Sequence, residues 1–265
     1  LSPHIHLIGA FNHEHIFIDP HPDPKTSFKE RERLFRMPRS TWADYDLTKL
    51  SAGGGIWPRT AKSIELTEPA RKALGIGAQQ LSPAELIHEM IKSPADLLFN
   101  GGIGTYVKAS TESHESVGDR VNDALRVDAS QLRCRVIGEG GNLGLTQLGR
   151  IEFSHRGGLC HTDAIDNSAG VDTSDHEVNI KILLSAAVEA HEIDMDERNT
   201  LLEAMTEEVA LLVLRNNYAQ TQALALAVDR APSLIHHHSR AMRQLERSYG
   251  LDRELEHLPG DEEIA

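Results

Sequence analysis

Two short apolar runs of β-forming character end directly in glycines, and this pattern constrains the fold more than any other feature of the chain. Ala95 to Phe99 (ADLLF) runs into Asn100-Gly-Gly-Ile-Gly104, and Arg133 to Ile137 runs into glycines at 138, 140 and 144. Ile5 to Phe11 and Ile16 to Asp19 are further strand material, separated by Asn12 and His13, and Arg150 to Phe153 reads as another strand. Prolines 20, 22 and 24 then halt regular structure. Helical stretches fall between the strands. Phe28 to Phe35 reads as a short helix, and Ser116 to Leu125 as a second. Ser82-Pro-Ala-Glu85 is a helix start with Ser as N-cap, Pro in the first turn and Glu three residues on, continued by Leu86 to Ile91. Apolar strands that alternate with helices and end in glycine loops predict an α/β fold with a Rossmann-like parallel sheet.

The pattern changes after Ser174. Val178, Ile182 and Ala186 share a helical face, as do Leu201, Met205, Val209 and Leu212, and then Leu234, His238, Met242 and Leu245. Asp194 to Glu197 caps the second of these helices, and Gly250 ends the last. The expected division is therefore a partial cofactor-binding domain over 1–183 and an α-helical C-terminal segment over 184–265. His236, His237 and His238 lie in that segment, and consecutive helix positions point apart, so the three do not converge on one ion. The formal net charge of −13 argues against a nucleic-acid or anionic-membrane surface. No run approaches the roughly 18 apolar residues of a spanning helix. Cys134 and Cys160 have neither metal spacing nor a pairing pattern, which predicts thiols in a reducing cytoplasm. The chain starts without Met, almost directly in a strand, and reads as a piece of a longer one.

The segment VIGEGGNLGLT, Val136 to Thr146, first suggests a phosphate-binding loop. Such a loop needs a helix behind it, whose N-terminal N–H groups hold the anion. The following LTQLGRIEFSHRGG lacks a helical apolar period and contains a β-type IEF. The phosphate-loop reading is set aside on that ground. A turn at a strand end and a loop whose backbone approaches a ligand ring both remain.

Glu139-Gly-Gly-Asn142-Leu-Gly-Leu-Thr146 resembles the Glu-Gly-Ala-Asn-x-Pro-Thr segment of glutamate dehydrogenases. Asn167-Ser-Ala-Gly170-Val171-Asp-Thr-Ser174 resembles their Asn-Ala-Gly-Gly-Val-x-x-Ser, and Gly9-Ala-Phe-Asn12 followed by Ile16-Phe-Ile-Asp19-Pro20 resembles their second sheet strand and the turn after it. The longer forms GIWPRTAKSI, LFNGGIGTYVKAS and DNSAGVDTSDHEVNIKILL are similar to the very large NAD-specific bacterial members. The resemblance covers essentially the whole chain.

What the resemblance implies can be stated residue by residue. Asn142 would sit beside the nicotinamide of NAD, where an amide both donates and accepts. Asn is also a frequent left-handed turn residue. Gly101 and Gly102 would lie near the adenosine side of the cofactor, and Asn122 near the nicotinamide ribose. Asn12 would meet the adenosine ribose; an acidic residue usually stands there, and an amide does not repel a 2′-phosphate as a carboxylate would. Ser174 would hold the side-chain carboxylate of glutamate, and Ser174-Asp-His-Glu177 also has the form of a capping box. Gly170 and Val171 would line the substrate pocket. The first sheet strand, its glycine loop, and the catalytic lysine and aspartate would precede Leu1; neither Lys108 nor Lys181 is promoted to the role.

The implied reaction is reversible NAD-dependent oxidative deamination of L-glutamate to 2-oxoglutarate and ammonia, in a cytoplasmic enzyme that assembles as a homo-oligomer. The isolated 265-residue chain is expected to be inactive. Two other readings stand beside this one: a different amino-acid dehydrogenase or an NADP-using relative, and a non-catalytic regulatory or assembly module that keeps the fold.

Overall fold

A computed structural model describes residues 2–264. The chain forms two compact units that divide between His161 and Thr162. The division falls inside the segment assigned from the sequence to the cofactor-binding part, so Gly170, Val171 and Ser174 belong to the second unit.

The first unit is mixed α/β. In chain order it carries β1 (Gly9–Phe11), β2 (His15–Ile18), α1 (Pro24–Arg36), β3 (Gly55–Pro58), β4 (Ile64–Glu65), α2 (Glu68–Leu74), β5 (Gln80–Leu81), α3 (Pro83–Ile91), β6 (Leu97–Asn100), β7 (Val107–Lys108), α4 (His114–Val117), β8 (Val127–Asp128), β9 (Val136–Glu139) and α5 (Gln147–His155). The strands form four small sheets rather than one doubly wound sheet. β1, β2 and β3 are antiparallel, as are β4 and β5, while β6 pairs with β9 and β7 with β8 in parallel. The antiparallel start corrects the expectation of a parallel sheet from the first strand. Only three residues join Phe11 to His15, and a parallel connection needs a crossover of about a dozen or more.

β2 is buried on both faces. Ile16 and Ile18 enter the main core with Ile64, Leu74, Leu86, Ile87, Val107, Val127, Ile137, Leu145 and Phe153. Phe17, between them, points the other way onto Trp42 and Tyr45. α3 starts at the expected capping box, with Ser82 and Glu85 exchanging side-chain and backbone bonds. α1 is longer than the sequence reading. Pro24 opens it at the first turn, with Asp23 accepting from Thr26 N, instead of halting structure.

Two further expectations are overturned. Ser116 to Leu125 is not one helix: α4 ends at Gly118, whose φ of +77° is left-handed, and Arg120–Asn122 is a 3-10 turn. Arg150 to Phe153 is not a strand but lies in α5, which starts at the N-cap Thr146. The face of α5 turned to the core carries Gly149, Arg150 and Phe153, two of which no hydropathy pattern counts as apolar.

The second unit is helical, with α6 (Asp163–Asp166), α7 (Ser168–Glu189), α8 (Met195–Tyr249) and α9 (Asp261–Ile264). The Asp194–Glu197 capping box opens α8, and Gly250 closes it at φ +70°, as expected. The two helices foreseen within this stretch are one helix of 55 residues that runs through Pro232. α7 and α8 pack as a hairpin, fixed near its open end by Asn217, which donates to Ser168 Oγ at 2.8 Å, and by Asn216, which donates to Asp172 at 2.9 Å. No described helix is long and apolar enough to cross a membrane.

Candidate functional site

The register Leu97↔Val136 through Asn100↔Glu139 brings the C-terminal ends of β6 and β9 side by side. The loop after β6 carries Gly101 and Gly102, and the loop after β9 carries Asn142. In parallel sheets the ligand end lies beyond these strand termini. The two loops are in direct contact. Gly140 N and Gly141 N donate to Asn100 O at 2.8 and 3.2 Å. A Cβ on Gly141 would stand 2.4 Å from Gly102 O, so glycine is required for this approach. Gly144 is confined likewise: a Cβ there would lie 1.8 Å from Asn100 Nδ2. That Nδ2 is buried and makes no hydrogen bond among the described residues. Gly101 and Gly102 are exposed, and a Cβ on Gly102 would meet open space.

The first loop is held from below by Arg126, whose side chain is wholly buried. Its Nε donates to Thr105 O at 2.8 Å, Nη1 to Asp123 at 2.6 Å, and Nη2 to Asp119 O. Asp119 in turn accepts from Thr105 N at 2.9 Å and from Asn122 Nδ2 at 2.7 Å. Burial opposes ionisation of Asp119, but the bonds from Asn122 and Thr105 and the charge of Arg126 outweigh it, and the carboxyl sits below its ordinary range. Asn122 also faces Gly104, whose φ is +125°. The structure therefore brings together Gly101, Gly102, Asn122 and Asn142 around the ends of β6 and β9.

Asn12 reaches this region only through neighbours. It follows β1, and its Oδ1 accepts from Glu14 N at 2.9 Å and His15 N at 2.7 Å, closing the β1–β2 hairpin. The adjacent Phe11 ring meets Tyr106 edge-on at 5.6 Å, and Tyr106 lines Gly104. The carbonyl of Asn12 accepts from Arg59 at 3.3 Å.

The second loop is closed by residues that the sequence reading did not single out for a role. Glu139, 1% exposed, accepts on Oε2 from Arg150 Nε and Nη2 at 2.9 and 2.8 Å, and on Oε1 from Leu145 N at 3.2 Å. Gly144 O accepts from Tyr106 N at 2.9 Å, and Thr146 N donates to Val107 O at 3.0 Å. The discoverable signal was Thr146 as an N-cap with Gly149 three residues on. The ground on which the phosphate-loop reading was set aside, the lack of a helix behind Gly144, does not hold, because α5 is there. One of its first-turn N–H groups is taken within the chain, Gly149 N by Thr146 Oγ1 at 3.0 Å.

In the second unit, Gly170, Val171 and Ser174 all lie within α7, and all three are exposed. Ser174 is not an N-cap. The helix begins at Ser168 after Asn167, so the Ser-x-x-Glu letters fall in its interior, and the anion-attracting helix end expected at Ser174 is absent there. Among the described residues no cluster of His, Cys, Asp and Glu could hold a metal ion.

Residues 1–227 match the family described as bacterial NAD-glutamate dehydrogenase, catalytic domain. The NAD-specific glutamate dehydrogenase of Pseudomonas aeruginosa is 57% identical over 265 residues, all of this chain and 16% of that protein. Those of Halomonas elongata and Mycobacterium tuberculosis are 55% and 52% identical, again over all of this chain and over 16% and 17% of theirs. The chain thus spans about a sixth of the length of the curated relatives it matches. It belongs to the bacterial NAD-glutamate dehydrogenase family, with residues 1–227 in the catalytic domain.

Proposed function

We propose that the chain is the cofactor-side part of an enzyme that oxidatively deaminates L-glutamate to 2-oxoglutarate and ammonia with NAD. The observation that carries this reading is the likeness of the whole chain, at 52–57% identity, to proteins named NAD-specific glutamate dehydrogenase. The geometry fits a dinucleotide. Two glycine loops meet at the C-terminal ends of a parallel pair, and Gly102 faces open space where a Cβ would otherwise intrude. We read that pair as part of a Rossmann-like sheet.

In this reading bound NAD would supply the hydride acceptor for the substrate α-carbon. The residues of this chain bind and orient. Gly101 and Gly102 let the backbone approach the adenosine side, and Asn122 offers an amide to the nicotinamide ribose. Asn142 holds the nicotinamide. Asn12, with Oδ1 committed to its hairpin, offers Nδ2 to the adenosine ribose. Gly170 and Val171 line the glutamate pocket, and Ser174 donates its hydroxyl to the substrate side-chain carboxylate. No residue here takes the part of the lysine that would polarise the keto group or of the aspartate that would move protons, so the 265-residue chain alone is expected to be inactive. The complete enzyme is read as a cytoplasmic homo-oligomer.

Gly102→Ala in the full-length enzyme tests the cofactor loop. The added methyl meets nothing within 4 Å, so melting is unchanged, while KM for NAD rises. An unchanged KM removes Gly102 from the cofactor. Steady-state assays with glutamate and other amino acids, each with NAD and with NADP, test the rest. Preference for NADP, or for another amino acid, overturns the assignment, as does glutamate-dependent NADH formation by the isolated chain for its expected inactivity.

A further inference from the structure

We propose that the buried Glu139–Arg150 pair is a positioning device for Asn142, a claim that rests on the reading of Asn142 as the nicotinamide-facing residue. Glu139 is the last residue of β9 and is too buried to touch a ligand. Its two oxygens do different things. Oε1 accepts from Leu145 N, the far end of the loop that carries Asn142, so the carboxylate spans the loop at its base. Oε2 takes both Nε and Nη2 of Arg150 from the second turn of α5. The start of the loop is pinned separately, where Gly140 N and Gly141 N meet Asn100 O. Residues 142–144 lie between these anchors, and Asn142 is the first of them.

The two nitrogens of Arg150 converge on Oε2 and fix the position of that oxygen, while Oε1 receives Leu145 N, so the carboxylate is held from both sides where the loop returns. A lysine supplies the same charge from one flexible nitrogen in place of two rigidly spaced ones, so it keeps the charge but constrains Oε2 less. Without the fork the fold keeps its charge balance, but the loop gains freedom at its exit. A displacement of about 1 Å at a group that orients a reacting ring is enough to lower turnover severalfold to a hundredfold.

The test uses the full-length enzyme with Arg150→Lys, Glu139→Gln, Asn142→Ala and the double variant Arg150→Lys/Asn142→Ala. Each is assayed for kcat and KM with NAD and with 3-acetylpyridine adenine dinucleotide, which replaces the carboxamide NH2 by a methyl group. The expected result is that Arg150→Lys lowers kcat/KM for NAD about tenfold. It also shrinks the preference for NAD over the analogue, as Asn142→Ala does, and the double variant is no worse than Asn142→Ala alone. Melting temperatures separate this from loss of fold. If Glu139→Gln yields no folded protein, the charge-retaining Arg150→Lys carries the test. Losses that simply add in the double variant, with the NAD-to-analogue preference unmoved by Arg150→Lys, overturn the positioning role and leave Asn142 in place. If Asn142→Ala itself leaves NAD kinetics and the preference at wild-type values, the nicotinamide reading fails, and the positioning claim falls with it.

Discussion

Replacing Arg126 with methionine keeps most of the buried volume and removes every donor of the guanidinium. Thr105 O then loses its bond from Arg126 and Asp119 O keeps only the longer one from Asn122 N at 3.3 Å, while the carboxylates of Asp119 and Asp123 lose their counter-charge. Removing one member of a buried ion pair costs about 3–5 kcal/mol. The acidic side chains here are 25% and 39% exposed, so water takes over part of their solvation and the electrostatic share falls. The Thr105 carbonyl costs about 1–3 kcal/mol if left unpaired, less what water recovers, and Asp119 O costs less because Asn122 N still reaches it. The methionine offsets some of this by avoiding desolvation of a charge. The net expectation is a loss of about 3 kcal/mol, or roughly 6–12 °C in melting temperature for a unit of this size. Trp42 and Trp57, the only two tryptophans, both lie in the first unit, so their fluorescence in urea follows that unit. Arg126→Lys should recover less than half of the loss, because one ammonium cannot meet four acceptors. A loss below about 1 kcal/mol for Arg126→Met would refute the reasoning, placing this network with exposed pairs such as Lys181–Glu177.

Gly141→Ala forces its methyl into Gly102 O at 2.4 Å and C at 2.9 Å, backbone atoms that cannot rotate away, so the two loops must separate. It should cost about 1–3 kcal/mol in urea titration, and a neutral result would mean the loops move apart freely. Burial pushes the Cys134 thiol up to about 11, so at pH 8 an alkylating reagent should modify the half-buried Cys160 first and reach Cys134 only in denaturant. Mass mapping that finds Cys134 labelled first contradicts this. Glu30 is held below its ordinary range by the bond from Arg33, against burial and with help from Asp46 N–H, and Asp119 is lowered as well. In both, the folded value lies below the unfolded one. Their stabilisation is therefore full above about pH 5 and lost as pH falls through the lowered values. Glu30→Gln and Asp119→Asn should flatten the acid limb of a urea-midpoint profile, and a profile that stabilises on acidification would refute the sign.

Elements bounded by local chemistry were legible in the sequence. The capping boxes at Ser82 and Asp194, the left-handed stop at Gly250 and the run into β6 each need only a few neighbouring residues to be satisfied. The capping signature misled at Ser174, because the same letters occur in the interior of α7, where the backbone N–H groups already have helical partners. Proline misled at Pro24 for a related reason. A residue that cannot continue a helix is well suited to open one. The antiparallel hairpin at Asn12 was legible in principle, since three residues cannot carry a parallel crossover.

The site divides in the same way. The glycines of the two loops were legible because close backbone approach leaves glycine in the sequence, and the contact of Gly141 with Gly102 gives a reason for two of them, while Asn142 rests on the resemblance alone. Arg126, Arg150 and Glu139 could not be found. They are charged residues in the core, and a reader assigns charge to the surface unless a partner is known. Their partners are 11 residues apart in one case and as many as 21 in the other, so only the fold supplies them. The same substitution explains why α5 was missed: an arginine and a glycine occupy its inward face where leucines would have announced a helix. A loop that faces a ligand, as proposed for this one, cannot be anchored by apolar packing from above. It is anchored from beneath by ion pairs whose directionality fixes both ends, and such anchors leave no hydropathy signal. The residues most informative about the geometry of this site are therefore the ones that sequence periodicity is least able to report.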